Sequence, residues 1–140
     1  MNEYEFKRRT KALALDTIRM VEQPPRSRTS DVISRQSLRS ITSVGANYRA
    51  SCRGRSIEEI VAKLSIVEEE ADESLYWLEL LTELGLVHPE RVRALLDETQ
   101  QILAMTVASK KTLKARIRAK SFAGASATVR ATGGVWAKES

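Results

Sequence analysis

The chain has 140 residues and a formal net charge of +5, with 42% hydrophobic and 29% charged residues. These totals fit one globular domain and exclude a collagen-like or fully disordered chain. No stretch approaches the roughly 20 consecutive apolar residues of a membrane helix, and the charged N-terminus lacks the apolar core of a signal peptide. Cys52 is the single cysteine, so we predict no intrachain disulfide, no membrane and a cytoplasmic location.

The first predicted helix covers about residues 3–22, where apolar residues recur at helical spacing. Pro24 and Pro25 follow. Neither proline offers an amide donor, and the first disfavours helical geometry in the residue before it. The helix is therefore predicted to end before them, at a polar connector.

The second predicted helix covers about residues 31–51, with Ser30 or Asp31 as its N-cap. Its apolar stripe follows a repeat of three and four residues. Gly45 and Ala46 lie on this helix, and such small residues predict a close approach by a neighbouring helix. A basic turn around Gly54 then ends the helical pattern.

The third predicted helix has the clearest local signals. Ser56 and Glu59 have the spacing of a capping box, in which each side chain accepts a hydrogen bond from a backbone amide of the other. Apolar residues then recur every three or four positions for about seven turns, which indicates a core-facing helix. Gly85 is the predicted C-terminal stop.

The fourth predicted helix begins at Pro89, whose fixed backbone angle suits a first helical turn, and continues to about Lys120. From residue 121 the chain is rich in Ala, Gly, Ser and Thr without an apolar period. We therefore predict an all-α fold, an antiparallel up-and-down four-helix bundle in residues 1–120, with a flexible, disordered tail in residues 121–140.

Charge is segregated along the chain. Residues 26–55 hold seven arginines against one acid, residues 56–79 hold eight acids against one lysine, and residues 110–140 hold eight basic residues against one acid. Basic clusters favour polyanionic partners such as RNA or DNA. The predicted nucleic-acid-binding residues are Arg49, Arg53, Arg55, Lys110, Lys111, Lys114, Arg116 and Arg118. In strict up-and-down order, we expect the clusters of the second and fourth helices at opposite poles of a subunit.

The sequence contains few candidate catalytic residues. His88 lies in an interhelical turn without a predicted nucleophile or acid beside it. The acidic run at residues 68–73 lacks the Glu-x-x-His pairs of di-iron bundles. Arginines near Cys52 favour its thiolate, but no histidine accompanies it. We predict no enzymatic activity, no cofactor and no metal.

Residues 36–48 resemble the Gln-Leu-x-Arg-x-x-x-Ser-Ile-x-x-Asn motif of the four-helix bundle proteins named for 23S ribosomal RNA intervening sequences. Residues 64–81 resemble the third helix of that family, and the resemblance covers roughly residues 5–118. Many members have an acid soon after the Asn, whereas residues 49–53 of this chain contain none. That departure puts in doubt any pairing made by the acid in those members.

The resemblance implies a non-enzymatic bundle that assembles as a homo-oligomer, often a five-fold ring or pentamer. The chain is also similar to the accessory protein of diversity-generating retroelements. That similarity implies a basic pentamer that binds nucleic acid and a protein partner, a reverse transcriptase.

Polar residues of the second helix recur at intervals of four, so they form one ridge. A hydrogen-bonded network between this ridge and the third helix would fix the register of the two helices. We predict that this structural network comprises Arg39, Ser43, Asn47 and Glu70. A solvated polar face is the alternative.

Two functions compete at this level. One is a nucleic-acid-binding oligomer that contacts phosphates through the basic clusters. The other is a protein-interaction or ring-forming module, in which the acidic third helix of one subunit contacts the basic second helix of the next. Tyr76 and Trp77 are the predicted interface residues for this second function.

Overall fold

Four antiparallel helices form the fold of this computed structural model, which describes residues 2–23 and 25–132, with side chains described as far as residue 125. The helices are α1 (Glu3–Val21), α2 (Arg28–Ser51), α3 (Ile57–Glu83) and α4 (Pro89–Thr132). Both α1 and α3 pack against α2 and α4, and they face each other diagonally across the bundle. No strand occurs in the described residues. The predicted four-helix, all-α fold is confirmed.

Serine and asparagine side chains set the starts of α1 and α2. The side chain of Asn2 accepts a hydrogen bond from the Glu5 amide at 2.7 Å. Helix α2 begins at Arg28, earlier than predicted, because Ser27 is its N-cap. Ser27 and Ser30 form a reciprocal box in which each hydroxyl accepts the backbone amide of the other. The prediction that Ser30 or Asp31 is the N-cap was therefore wrong.

Helix α3 begins and ends where its sequence predicts. The hydroxyl of Ser56 accepts the Glu59 amide at 3.1 Å, although the Glu59 carboxylate accepts the Arg55 amide instead of completing the box with Ser56. Gly85 has a φ of 67°, a left-handed conformation that glycine adopts without a steric penalty. The Leu86 amide then bonds to the Leu81 carbonyl, which closes the helix.

Helix α4 continues past the predicted end near Lys120 to Thr132. Alanines at this end favour helix without any apolar face, and the sequence prediction had relied on the apolar period alone. Residues 133–140 of the predicted tail lie outside the described residues, as does Pro24, which the sequence placed after α1. Since α1 begins and α2 ends near the level of residues 106–116, the rest of α4 extends beyond the bundle.

The core contains hydroxyl side chains as well as aliphatic ones. Val44, Val67 and Ile102 are fully buried, and so are Thr99 and Thr106. Both threonines donate to the carbonyl four residues earlier on α4, so burial leaves no unpaired donor. Their small volume allows the helices to approach closely.

Helix α1 approaches α2 closely at Gly45. A Cβ atom built there would lie 3.3 Å from the Thr10 hydroxyl oxygen. This confirms the predicted close approach at Gly45. Ala46, the other small residue proposed for the contact, is exposed.

Candidate nucleic-acid interface

One end of the bundle collects the predicted basic residues. Helices α2 and α4 run in the same direction, so the end of α2 lies at the pole that residues 106–116 of α4 reach. Cys52, which follows α2, lines one cleft with Thr112, Leu113 and Arg116. The expectation that the two clusters lie at opposite poles was therefore wrong. We call this pole, from Arg49 to Arg55 and from Lys110 to Arg118, the basic end.

The arginines of the basic end are free to contact a ligand. Arg49, Arg53 and Arg55 are exposed, and none makes an ion pair within the described residues. Gly54 separates two of them in a tight turn, where an added Cβ would lie 2.5 Å from a side-chain carbon of Ile60. A glycine is therefore required for this turn to pack on α3 and present an arginine on either side.

The basic residues of α4 are divided between three environments. Lys110 is mostly buried and pairs with Glu68 at 2.6 Å, so its charge is already neutralised. Lys111, Lys114 and Arg118 line a groove of about 240 Å³ beside it. Their spacing of three and four residues places them along one ridge of the helix.

Arg116 lies on another side of α4, where it lines the cleft at the end of the bundle. The eight residues predicted together thus belong to one pole but not to one continuous face. Seven of them make no ion pair within the described part of the chain: Arg49, Arg53, Arg55, Lys111, Lys114, Arg116 and Arg118.

The predicted polar network is only partly assembled. Arg39 Nη1 lies 3.2 Å from Glu70 Oε2, and Arg39 Nη2 lies 2.5 Å from Glu73 Oε1. The hydrogen bond from Arg39 lowers the pKa of Glu73 below its usual value. Asn47 does not join this group, because its amide donates to the Ser43 carbonyl on its own helix.

Two cross-helix contacts escaped the sequence reasoning. The hydroxyl of Ser74 on α3 donates to the buried Ser40 hydroxyl on α2 at 3.0 Å. Arg9 on α1 forms an ion pair with Glu98 on α4 and donates to Gln101 at 2.9 Å. The serines at core-facing positions were a sequence signal for the first contact. The second contact joins residues that are distant in sequence, and no sequence pattern indicated it.

Tyr76 and Trp77 have different environments. Tyr76 is 55% exposed and meets Trp77 edge-on, with ring centroids 5.1 Å apart. Trp77 packs against the core and donates its indole N–H to Glu73 at 3.3 Å. Of the two predicted interface residues, Tyr76 has the larger accessible surface.

The cleft at the basic end was not predicted. It has a volume of about 430 Å³, and its apolar walls are Phe6, Tyr48, Ile60, Leu64 and Leu113. The Phe6 and Tyr48 rings stack at 4.0 Å. Burial, together with the neighbouring Cys52, raises the pKa of Tyr48. We call this feature the end cleft.

Other classes of site find less support in the described residues. His88 is exposed in the turn before α4. No three His, Cys, Asp or Glu side chains in the described part come together as a metal site. Among the helices described, none is long and apolar enough to cross a membrane.

Comparisons with known proteins identify relatives of the bundle. The family model of the 23S rRNA-intervening sequence protein matches residues 2–108. A crystal structure from Bacteroides thetaiotaomicron, described as a protein of unknown function from the S23 ribosomal protein family, is similar with a TM-score of 0.72 and 28% identity. The match covers 79% of this chain and 99% of that one. No curated protein matches this chain. The basic residues 110–118 lie beyond the family match.

Proposed function

This chain belongs to the 23S rRNA-intervening sequence protein family, and we propose that it is a non-enzymatic member that binds nucleic acid through its basic end. The observation that carries the proposal is the gathering at one pole of seven cations that make no ion pair among the described residues. Arg49, Arg53 and Arg55 reach that pole on α2 and the following turn, and the others reach it on α4. Phosphate groups are the ligands that such a cluster recognises by charge.

Exposed acids lie along the side of α3, while the exposed Glu58 and Glu59 at the basic end are outnumbered by the seven cations there. Glu69, Asp72 and Glu79 are exposed on α3 and make no ion pair in the described chain. They repel a polyanion from the side of the bundle that α3 forms. A nucleic acid is therefore steered to the end of the bundle.

The contact should be electrostatic and independent of base sequence. Exposed arginines and lysines on a helix end and a turn neutralise phosphates, and each neutralised phosphate releases condensed counterions. Affinity should therefore fall steeply as salt rises. RNA and DNA strands of equal length should show similar salt dependence.

Paired charge variants test the proposal. Arg53→Gln/Arg55→Gln removes two cations from the basic end, and Arg91→Gln/Arg93→Gln removes two equally spaced, exposed cations near the start of α4. Fluorescence anisotropy with a mixed-sequence strand gives the slope of log affinity against log salt. We expect the first variant to reduce that slope by about two, one for each phosphate contact, and the second to leave it unchanged.

Two results would contradict the proposal. One is the absence of binding by the wild-type chain at low salt, and the other is an equal loss of affinity in both variants. Equal losses would mean that net charge alone, and not its placement at the basic end, attracts the strand.

A second candidate function, self-assembly, is favoured by complementary faces on α1 and α3. Arg8 and Lys11 are exposed on α1, next to the exposed Leu15. On α3, Glu69, Asp72 and the exposed Tyr76 are separated by three and four residues, the same spacing as the three residues on α1. Four of these side chains are charged, and none of the four makes an ion pair in the described chain.

The geometry of these faces favours contact between neighbouring copies. α1 and α3 lie at diagonal corners, so each copy presents a basic face on one side and an acidic face on the other. Such a head-to-tail contact builds a ring if it closes. We place the basic face of this contact on α1, where the sequence had indicated α2, because α1 repeats the residue spacing found on α3.

A charge swap tests this assembly by light scattering behind a sizing column. Arg8→Glu/Lys11→Glu and Glu69→Lys/Asp72→Lys should each reduce a discrete oligomer to monomer, because like charges would then face each other. The chain carrying all four changes should assemble again. A wild-type monomer, or a fourfold variant that stays monomeric, would refute the contact.

A further inference from the structure

The end cleft lies within the proposed nucleic-acid interface but has a different chemistry. Its apolar walls include Tyr48 and Leu113, and the hydroxyls of Ser109 and Thr112 line its side along α4. At about 430 Å³ it falls in the size range of pockets that bind small organic groups. An apolar cleft of this kind is unsuited to a phosphate, which needs charged or amide partners.

The surroundings of the cleft restrict its occupant. Arg116 is one of its lining residues, and Cys52 joins it to the turn that carries Arg53 and Arg55. Glu3 also lines the cleft, and its carboxylate is paired with Lys7 at 2.7 Å. A group bound in the cleft therefore sits between cations on α4 and cations on the α2–α3 turn, with one paired acid beside it. A flat, partly apolar group that is covalently attached to phosphates fits both environments.

We propose that the end cleft binds an unstacked nucleobase of a single-stranded nucleic acid while the surrounding cations hold the adjacent phosphates. The inference rests on the proposed function and adds to it a site and a substrate class. A strand with free bases is preferred over a duplex, because a duplex must first unpair and unstack a base. Base contact with an apolar and aromatic wall adds affinity without demanding a particular sequence.

A strand without bases supplies the matched control. Oligothymidine and an abasic strand of the same length carry the same phosphates, so their contacts with the basic end are equal. Anisotropy at one salt concentration should show oligothymidine binding about ten-fold more tightly, within the range expected for one stacked base. Ser109→Leu/Thr112→Leu, two exposed positions on the cleft wall, should fill the cleft and reduce this advantage to near zero without changing the affinity for the abasic strand.

Cys52 gives an independent measure of occupancy in the wild-type chain. It is the single cysteine of the chain and lies in the cleft, partly accessible. Saturating oligothymidine should slow the reaction of its thiol with a disulfide reagent, and the abasic strand at saturation should slow it less.

The outcomes separate the two proposals. Failure of both strands to bind would overturn the proposed function and the cleft together. Equal affinity and equal thiol protection by the two strands would overturn the cleft alone, leaving phosphate binding at the basic end. Tighter oligothymidine binding with a fully reactive Cys52 would also overturn the cleft, because the base would then stack elsewhere.

Discussion

The contact between Gly45 and Thr10 determines how closely α1 and α2 can pack, and its strength can be predicted. Replacing Gly45 by alanine in a helix interior gains about 1 kcal/mol from backbone entropy. The new Cβ would lie 3.3 Å from the Thr10 hydroxyl oxygen and 3.4 Å from its Cβ. Because Thr10 is buried and donates to the Phe6 carbonyl at 3.0 Å, it cannot rotate away freely. Overpacking of this kind costs about 1–3 kcal/mol.

We therefore expect Gly45→Ala to destabilise the wild-type chain by up to about 2 kcal/mol, the difference between these terms. In a Thr10→Ala background the hydroxyl is gone, and the same change should stabilise by about 0.5 kcal/mol. Urea unfolding followed by circular dichroism measures both values, and a double-mutant cycle gives the coupling. If Gly45→Ala has the same effect in both backgrounds, Thr10 does not limit the approach of α1 to α2.

Two further predictions concern a helix end and an ion pair. Gly85→Ala should destabilise the chain by about 1–2 kcal/mol through its left-handed backbone alone, since no neighbouring atom of the described residues lies within 4 Å of the added Cβ. Urea unfolding measures this loss, and a neutral effect would show that the α3 end is not held in that conformation. The pKa of Glu73 is lowered because Arg39 donates a hydrogen bond to its carboxylate. The pair therefore stabilises the folded chain above pH 4.5, the reference pKa of Glu73, and this stabilisation is lost as the pH falls through the lower pKa of the folded state. Glu73→Gln should therefore reduce the difference between urea midpoints at pH 7 and pH 3, and an unchanged difference would show that this pair does not contribute to acid sensitivity.

Helix ends were predictable where one local signal was sufficient. Ser56 and Gly85 act within one turn of the backbone, and the structure has both where the sequence placed them. The start of α2 was misplaced because Ser27 and Ser30 are both suitable caps, and their reciprocal bonds select the earlier one. The end of α4 was misplaced because alanine favours helix without needing a core to bury a face.

The shared pole of the basic residues follows from topology. In four alternating helices, the second and fourth run in the same direction, so Arg53 and Arg116 belong to one end. Topology does not determine which individual side chains form ion pairs. Lys110 and Lys111 are adjacent in sequence, yet one is paired with Glu68 and the other is exposed. That difference depends on the rotation of α4 against α3, which no local pattern encodes.

The two proposed surfaces are compatible because they use different parts of the molecule. The α1 face of one copy matches the α3 face of the next when the two helices run in the same direction. The opposed pairs are then Arg8 with Glu69, Lys11 with Asp72, and Leu15 with Tyr76, and the residue numbers of each pair differ by 61. Since α1 and α3 are also parallel within one chain, neighbouring copies share one orientation. All basic ends would then face the same side of the assembly, and a strand that reaches several of them gains avidity without any new contact. The charge-swap variants can therefore be used twice. Arg8→Glu/Lys11→Glu, which blocks assembly, should lose more affinity for long strands than for strands that span one basic end. The chain carrying all four changes keeps the net charge and should regain the advantage for long strands.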